Sequence, residues 1–213
     1  MKLLSVNIGQ PRPVEAKDGL SGIFKQPQVG AVWLASLGLS GDHIQDKQHH
    51  GGPDQAVYVY TQPDYDHFSA LLGRDLAPGT FGENLLIPEL ESAPVAIGTR
   101  LRVGAALLEV TAARIPCATL AARMSDPQFV KVFREQRRPG LYARVLEEGP
   151  VQAGDAVQVE FAPQEGAATV LDTFEYFYAK VPTPAQITKL LAAPALHAKM
   201  RSELAARLAK VGG

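Results

Sequence analysis

Through its first 160 residues the chain is cut into short apolar runs, KLLSVNIG, AVWLASLGL, AVYVYT, ENLLI, TRLRVGAALLEVTAA, LYARVLEEG and AVQVEF, with Gly, Pro, Asn or Asp at many of the breaks. Runs of this length with alternation or β-branched residues read as strands. Their irregular spacing, with little helix between them, predicts a mainly β fold, a barrel or a sandwich. Gly98 and Gly104 punctuate a predicted hairpin, and Gly154 with Asp155 suits the turn before the last strand.

Two helical segments interrupt this region. QPDYDHFSALLGRDL carries Tyr65, Phe68, Leu71 and Leu72 at helical spacing. SDPQFVKVFREQRRPG offers Ser125 or Asp126 as a cap, a buried face of Phe129, Val130, Val132 and Phe133, and Gly140 as a stop. After Pro163 the composition shifts through FAPQEGAAT to a sequence that reads helical throughout, with Thr183 as a cap, Pro184 at the first helical position and a packing stripe of Leu196, Met200, Leu204 and Leu208. The expected organisation is therefore a β domain over residues 1–162 and a small three-helix domain over 163–213. About fifty residues of short helices bury little area alone. They are expected to dock on the barrel or on a second subunit, the latter making a homodimer.

Composition narrows the function. Twenty-one basic residues against 22 acidic ones give a net charge of −1, which argues against general nucleic-acid binding. One cysteine, Cys117, excludes a disulfide within the chain and fits a reducing compartment. Asn7, Gly9 and Gln10 interrupt the early apolar run too soon for a secretory segment, and no run approaches the ~20 residues of a membrane helix. A cytoplasmic protein with no membrane partner is expected.

Four features can carry chemistry. In ARIPCATLAARM, Cys117 falls between a predicted strand and a predicted helix, with Arg114 three residues upstream. A free thiol in this setting is either an inert buried side chain or, if a guanidinium and helix-start N–H groups lower its pKa, a nucleophile or soft-metal ligand. In GDHIQDKQHHGGPDQAV, Gly51 and Gly52 permit close approach to backbone N–H groups, and Lys47 and His50 add charge. That is either an anion cradle or a glycine-rich hairpin turn. The five histidines and lone cysteine lack the spacing of a zinc site. In GTFGENLLI, Glu83 and Asn84 precede a strand, and Asn84 offers both donor and acceptor to a heterocycle edge or simply caps a turn. Arg144, alternating with Tyr142 in a late strand, is a phosphate fork if it faces inward and a surface residue if it faces outward.

Taken in order, GDHIQDKQHHGGPDQAV, GTFGENLL, RIPCATL and GLYARVLEEGPVQAGD resemble a MOSC domain, the module related to the C-terminal part of molybdenum-cofactor sulfurases, over roughly residues 30–160. The helical tail is similar to the small three-helix domain that follows MOSC in the YiiM group, which is linked to detoxification of N-hydroxylated purines such as 6-hydroxylaminopurine. The resemblance implies a β-barrel with a deep, positively charged pocket for the molybdenum cofactor (molybdopterin). It implies Cys117 as the catalytic residue that binds molybdenum or carries sulfur, with Arg114 beside it. It places Lys47, His50, Gly51, Gly52 and Asp54 on one side of the pocket, Glu83 and Asn84 opposite, and Arg144 on the late strand. The implied activity is reduction of N-hydroxylated compounds. No ferredoxin or flavin cysteine motif is present, so electrons would come from separate electron-transfer proteins. Two alternatives stay open. One is a sulfur-carrier or cofactor-binding module with no turnover. The other is a cofactor-free cysteine hydrolase using His49 or His50 with Asp54.

Overall fold

A computed structural model describes residues 1–16, 19–45 and 50–211. The strands are β1 Ser5–Ile8, β2 Arg12–Pro13, β3 Leu20–Ser21, β4 Gln26–Pro27, β5 Val32–Ala35, β6 Gly38–Leu39, β7 Val57–Thr61, β8 Leu85–Ile87, β9 Arg100–Val103, β10 Ala106–Ala113, β11 Leu141–Glu147, β12 Gly149–Val151 and β13 Val157–Phe161. The helices are α1 Gln62–Leu72, α2 Ala118–Met124, α3 Phe129–Gln136, α4 Val170–Tyr178, α5 Pro184–Leu191 and α6 Ala198–Val211.

The main sheet has the order β13-β9-β10-β11-β7-β8-β1-β4. Its pairs are antiparallel except β7 with β8, the two strands separated by α1. The sequence predicts a barrel, and here the structure corrects it: the sheet keeps two edges rather than one continuous closed ladder. Its ends are stitched by the residues ahead of β1. Leu3 N–H donates to Asp155 O at 2.8 Å, Gly154 N–H to Leu3 O at 2.8 Å and Val157 N–H to Met1 O at 2.9 Å, around one isolated Lys2–Ala156 bridge. The turn at Gly154 and Asp155 sits at that seam and limits pairing there to a few bonds.

Alternation along β7 sorts its side chains between two cores. Val57 and Val59 join an aliphatic cluster with Leu85, Leu108 and Val110, whereas Tyr58 and Tyr60 join an aromatic one with Tyr65, Phe68, Phe81, Phe129 and Phe133. Five consecutive buried residues make β7 a covered strand on both faces. The aromatic cluster holds α1, α2 and α3, and its rings approach to 4.7 Å between Tyr60 and Phe81. α3 starts at Phe129 and ends at Arg137 in a left-handed conformation (φ +56), later and earlier than Ser125 and Gly140 would set.

The three C-terminal helices form as expected. Thr169 and Thr183 each make a capping box, with Asp172 and Gln186, and Pro184 opens α5. Phe174, Leu190, Leu196 and Leu204 belong to the same aliphatic cluster as Leu108 and Val110. Thr173 Oγ1 accepts from Ala113 N–H at 2.9 Å in the buried contact between α4 and β10. Apolar burial of this kind stabilises by roughly 25 cal/mol per Å2, so the helices are an integral cover on the sheet.

Candidate functional site

β10 ends at Ala113, and the extended segment that follows leads into α2, whose N-cap is Cys117. That placement puts the thiol at the start of a helix, with Leu120 N–H bonded to the Cys117 carbonyl at 3.0 Å. The thiol is half-buried and opens into a cavity of about 240 Å3. His50, Gly51, Gln55, Tyr58, Asn84, Arg114 and Tyr142 line it, together with Gly22, Ile23, Lys25, Asp42 and Gly82.

Burial pushes the Cys117 thiol up, but a hydrogen bond from His50 and the charges of Arg114 and His50 outweigh it and hold the thiol at about 5. At neutral pH the sulfur is a thiolate. The His50 Nδ1 in turn lies 3.3 Å from the Tyr142 hydroxyl. The buried Arg114 guanidinium bonds the sulfur, donates to Ile115 O at 3.1 Å and lies over the Tyr58 ring, 5.4 Å from its centroid. Burial lowers the proton affinity of Arg114, yet the Cys117 thiolate, a hydrogen bond to it and the neighbouring Tyr142 and Tyr58 hydroxyls more than restore it.

The opposite wall rests on residues the sequence did not single out. Lys25 and Asp42 form a buried ion pair, their side chains 8 % and 5 % exposed, with Nζ 2.6 Å from Oδ1 and a second contact to Oδ2. Asp42 also accepts from Gly9 N–H and from Asn84 Nδ2, each at 2.8 Å. Burial lowers the Lys25 pKa against the pull of Asp42. The Asn84 side chain is committed to Asp42 and to Tyr58 N–H at 3.1 Å, so its exposed face in the cavity has few bonds left to give. Lys25 sits in GIFKQP as one charge in an apolar stretch, a weak signal of a buried lysine; Tyr58 and Tyr142 gave none beyond strand propensity.

The other expected site residues separate into groups. Lys47 and His49 lie outside the described residues. Gly51 lines the cavity in a left-handed conformation (φ +88), while Gly52, also left-handed (φ +81), does not reach it and opens the short turn Pro53–Gln55. Glu83 is fully buried beneath the wall and does not line it. It accepts from Tyr65 Oη at 2.6 Å, Phe81 N–H at 3.2 Å and Gly79 N–H, clamping the turn that presents Gly82 and Asn84. Asp54 and Arg144 face one another away from the cavity, 2.8 Å apart. Arg144 stands two residues beyond Tyr142 on β11, about 6.6 Å further along the strand, which carries it past the cavity and over Glu109.

The described lining therefore holds two cations, Lys25 and Arg114, against two anions, Asp42 and the Cys117 thiolate. With its thiolate formed, these four charges balance, so this part of the pocket is not strongly positive. Among the described residues no group of three or more His, Cys, Asp or Glu side chains converges to hold a metal ion. The chain offers one soft anionic sulfur, the complement of a metal group that brings its own other ligands.

Comparison with known proteins places this arrangement. The MOSC domain family model matches residues 46–158. The chain is 36 % identical over 166 residues to the uncharacterized protein YflK of Bacillus subtilis, covering 77 % of this chain and 75 % of that one. It is 32 % identical over 143 residues to a protein of Gibberella moniliformis named "Reductase", covering 65 % of this chain and 25 % of that protein. The crystal structure of YiiM from Geobacillus stearothermophilus superposes with a TM-score of 0.78 at 26 % identity, covering 97 % of this chain and 98 % of that one. No helix among the described residues is long and apolar enough to cross a membrane. With a MOSC model matched over more than half its length and the fold of the Geobacillus YiiM structure, this chain belongs to the MOSC domain family, in its YiiM-type group.

Proposed function

We propose that the protein is a molybdenum-cofactor-dependent reductase of N-hydroxylated compounds, N-hydroxylated purines among them, acting in detoxification. The observation that carries the reading is the thiolate of Cys117, held at about 5 by His50 and Arg114 at the wall of an open cavity. When bound, the cofactor supplies the two-electron metal chemistry that an N–O bond requires. Cys117 would be its protein ligand, Arg114 and Lys25 would face its anionic groups, and the backbone at Gly51 and Gly82 would admit its edge. The net change, R–NH–OH + 2 e⁻ + 2 H⁺ → R–NH2 + H2O, needs protons as well as electrons. His50, hydrogen-bonded to Cys117 and next to the Tyr142 hydroxyl, is placed to pass a proton to a substrate at the sulfur. Tyr58 and Tyr142, both pushed up by burial, stay neutral and give the cavity flat walls suited to a heterocycle. Electrons come from a separate electron-transfer protein.

The test is reconstitution. Purified protein loaded with molybdenum cofactor and given a chemical reductant should convert 6-hydroxylaminopurine to adenine, and Cys117→Ala should abolish this while keeping its circular dichroism. A loaded protein that binds cofactor and reduces no N–O bond would sink the proposal. The same thiolate favours a second reading, a sulfur carrier. There, mass spectrometry under sulfur-donating conditions should show one extra sulfur on Cys117, lost on mild reduction.

A further inference from the structure

Asp54 and Arg144 belong to the stretches that carry the family resemblance, yet neither touches the cavity. Their bonds run to the C-terminal helices. Asp54 Oδ2 accepts from Ala198 N–H, the first residue of α6, at 2.7 Å across 144 residues of chain. Asp54 Oδ1 lies 2.8 Å from Arg144 Nη2, which also donates to Ala195 O at 2.9 Å in the loop before α6. The Asp54 carbonyl accepts from Thr111 Oγ1 at 2.5 Å, and His197 N–H donates to Thr111 O at 3.1 Å. One residue thus joins the turn Pro53–Gln55 to three elements: its carboxylate to β11 and α6, its carbonyl to β10.

That turn lies between the cavity wall and β7. Upstream of it, Gly51 and Gly52 are both left-handed, and a side chain added at Gly52 would meet nothing within 4 Å. Gly51, by contrast, packs closely: a side chain there would come within 3.3 Å of Ile44, so the backbone after His50 is seated against the cavity wall before it enters the turn. His50 precedes the two glycines directly. Through this short segment His50 is tied to the turn, where Asp54 supplies an anchor to the C-terminal region. We propose that Asp54 and Arg144 are positioning residues through which α6 and the loop before it hold His50 against Cys117. The inference rests on the reading of Cys117 as the reactive centre, but its test needs no turnover.

The experiment compares Asp54→Asn, Arg144→Gln and a control, Asp172→Asn, which breaks the Lys189–Asp172 pair of the same helical region without touching the turn. Hydrogen exchange by mass spectrometry over residues 50–56, and alkylation of Cys117 by iodoacetamide at pH 7, are read on the full chain. The expected result is at least tenfold faster exchange in that segment and at least a threefold change in alkylation rate for Asp54→Asn and Arg144→Gln, with wild-type values for Asp172→Asn. Folded variants with unchanged exchange and alkylation would overturn the inference, and so would a control that reproduces the effect. Should Asp54→Asn not fold, Arg144→Gln decides alone, because it leaves the Asp54 bond to Ala198 in place. Intact coupling in a protein that reduces no N–O bond would end the reductase reading and leave the coupling standing.

Discussion

Cys117 and Glu83 give the protein two opposed pH dependences. The Cys117 pKa falls from the ordinary thiol range to about 5, so between pH 5 and about 9 the unfolded chain binds more protons there and stability rises with pH. Burial raises Glu83 to about 7, so between pH 4.5 and 7 the folded state binds more protons and stability falls as pH rises. Each slope is bounded near 1.4 kcal/mol per pH unit. Urea midpoints measured from pH 4.5 to 9 should therefore climb above pH 7. Between pH 5 and 7 the two slopes offset, so Cys117→Ser should flatten the climb above pH 7 and expose a decline below it, whereas Glu83→Gln should extend the climb down to about pH 5. A second residue-scale outcome concerns Lys25. Its removal leaves Asp42 charged and buried, so Lys25→Met should cost about 3 kcal/mol in chemical denaturation, more than a surface pair would. These groups were unequally legible. Cys117 could be placed between strand and helix from Pro116 and the pattern around it. Lys25 could not be paired with Asp42, because partners 17 residues apart are brought together only by the folded loops.

Among the elements, β7 and β11 do most to shape the site, and Gly140 fixes how they meet. It is left-handed (φ +68), and a side chain there would come within 2.4 Å of Tyr60 Cδ2 and 2.6 Å of Tyr58 Cε2. Tyr58 and Tyr60 donate to the carbonyls of Pro139 and Arg138 just before it, at 3.0 and 2.7 Å. Gly140→Ala should destabilise by about 2–3 kcal/mol through strain and overpacking, visible as a lowered Tm and altered near-UV circular dichroism. The sequence reading took Gly140 for a helix stop; its actual work is at the entry of β11. Apolar runs and helix caps were readable locally, Thr183 with Pro184 most clearly. Which face of β11 met the cavity was not, since Tyr142 and Arg144 share a strand parity and differ only in how far along it they stand. The motif pattern alone thus assigned Arg144 and Asp54 to a pocket that their bonds to Ala195 and Ala198 turn them away from.

For the molecule as a whole, the sheet and the C-terminal helices share one aliphatic core. A chain ending at residue 162 would uncover that core along β10. It should lose cooperative thermal unfolding and bind a hydrophobic dye, whereas a sharp transition in the truncated chain would show two independent units. Strands and helices were both legible in the sequence, and so was the change of character after Pro163. The open seam of the sheet was not, because closure depends on register and on how many bonds the two ends can make, which no local pattern encodes.

That seam has a consequence for how the protein is made. Met1 and Leu3 find their partners at Val157 and Asp155, more than 150 residues later, so the first segment leaves the ribosome long before anything exists for it to pair with. Until β13 emerges, the strand edge at Met1–Leu3 stays unmatched and prone to stray pairing, so the ordering of this seam waits for residues more than 150 positions away.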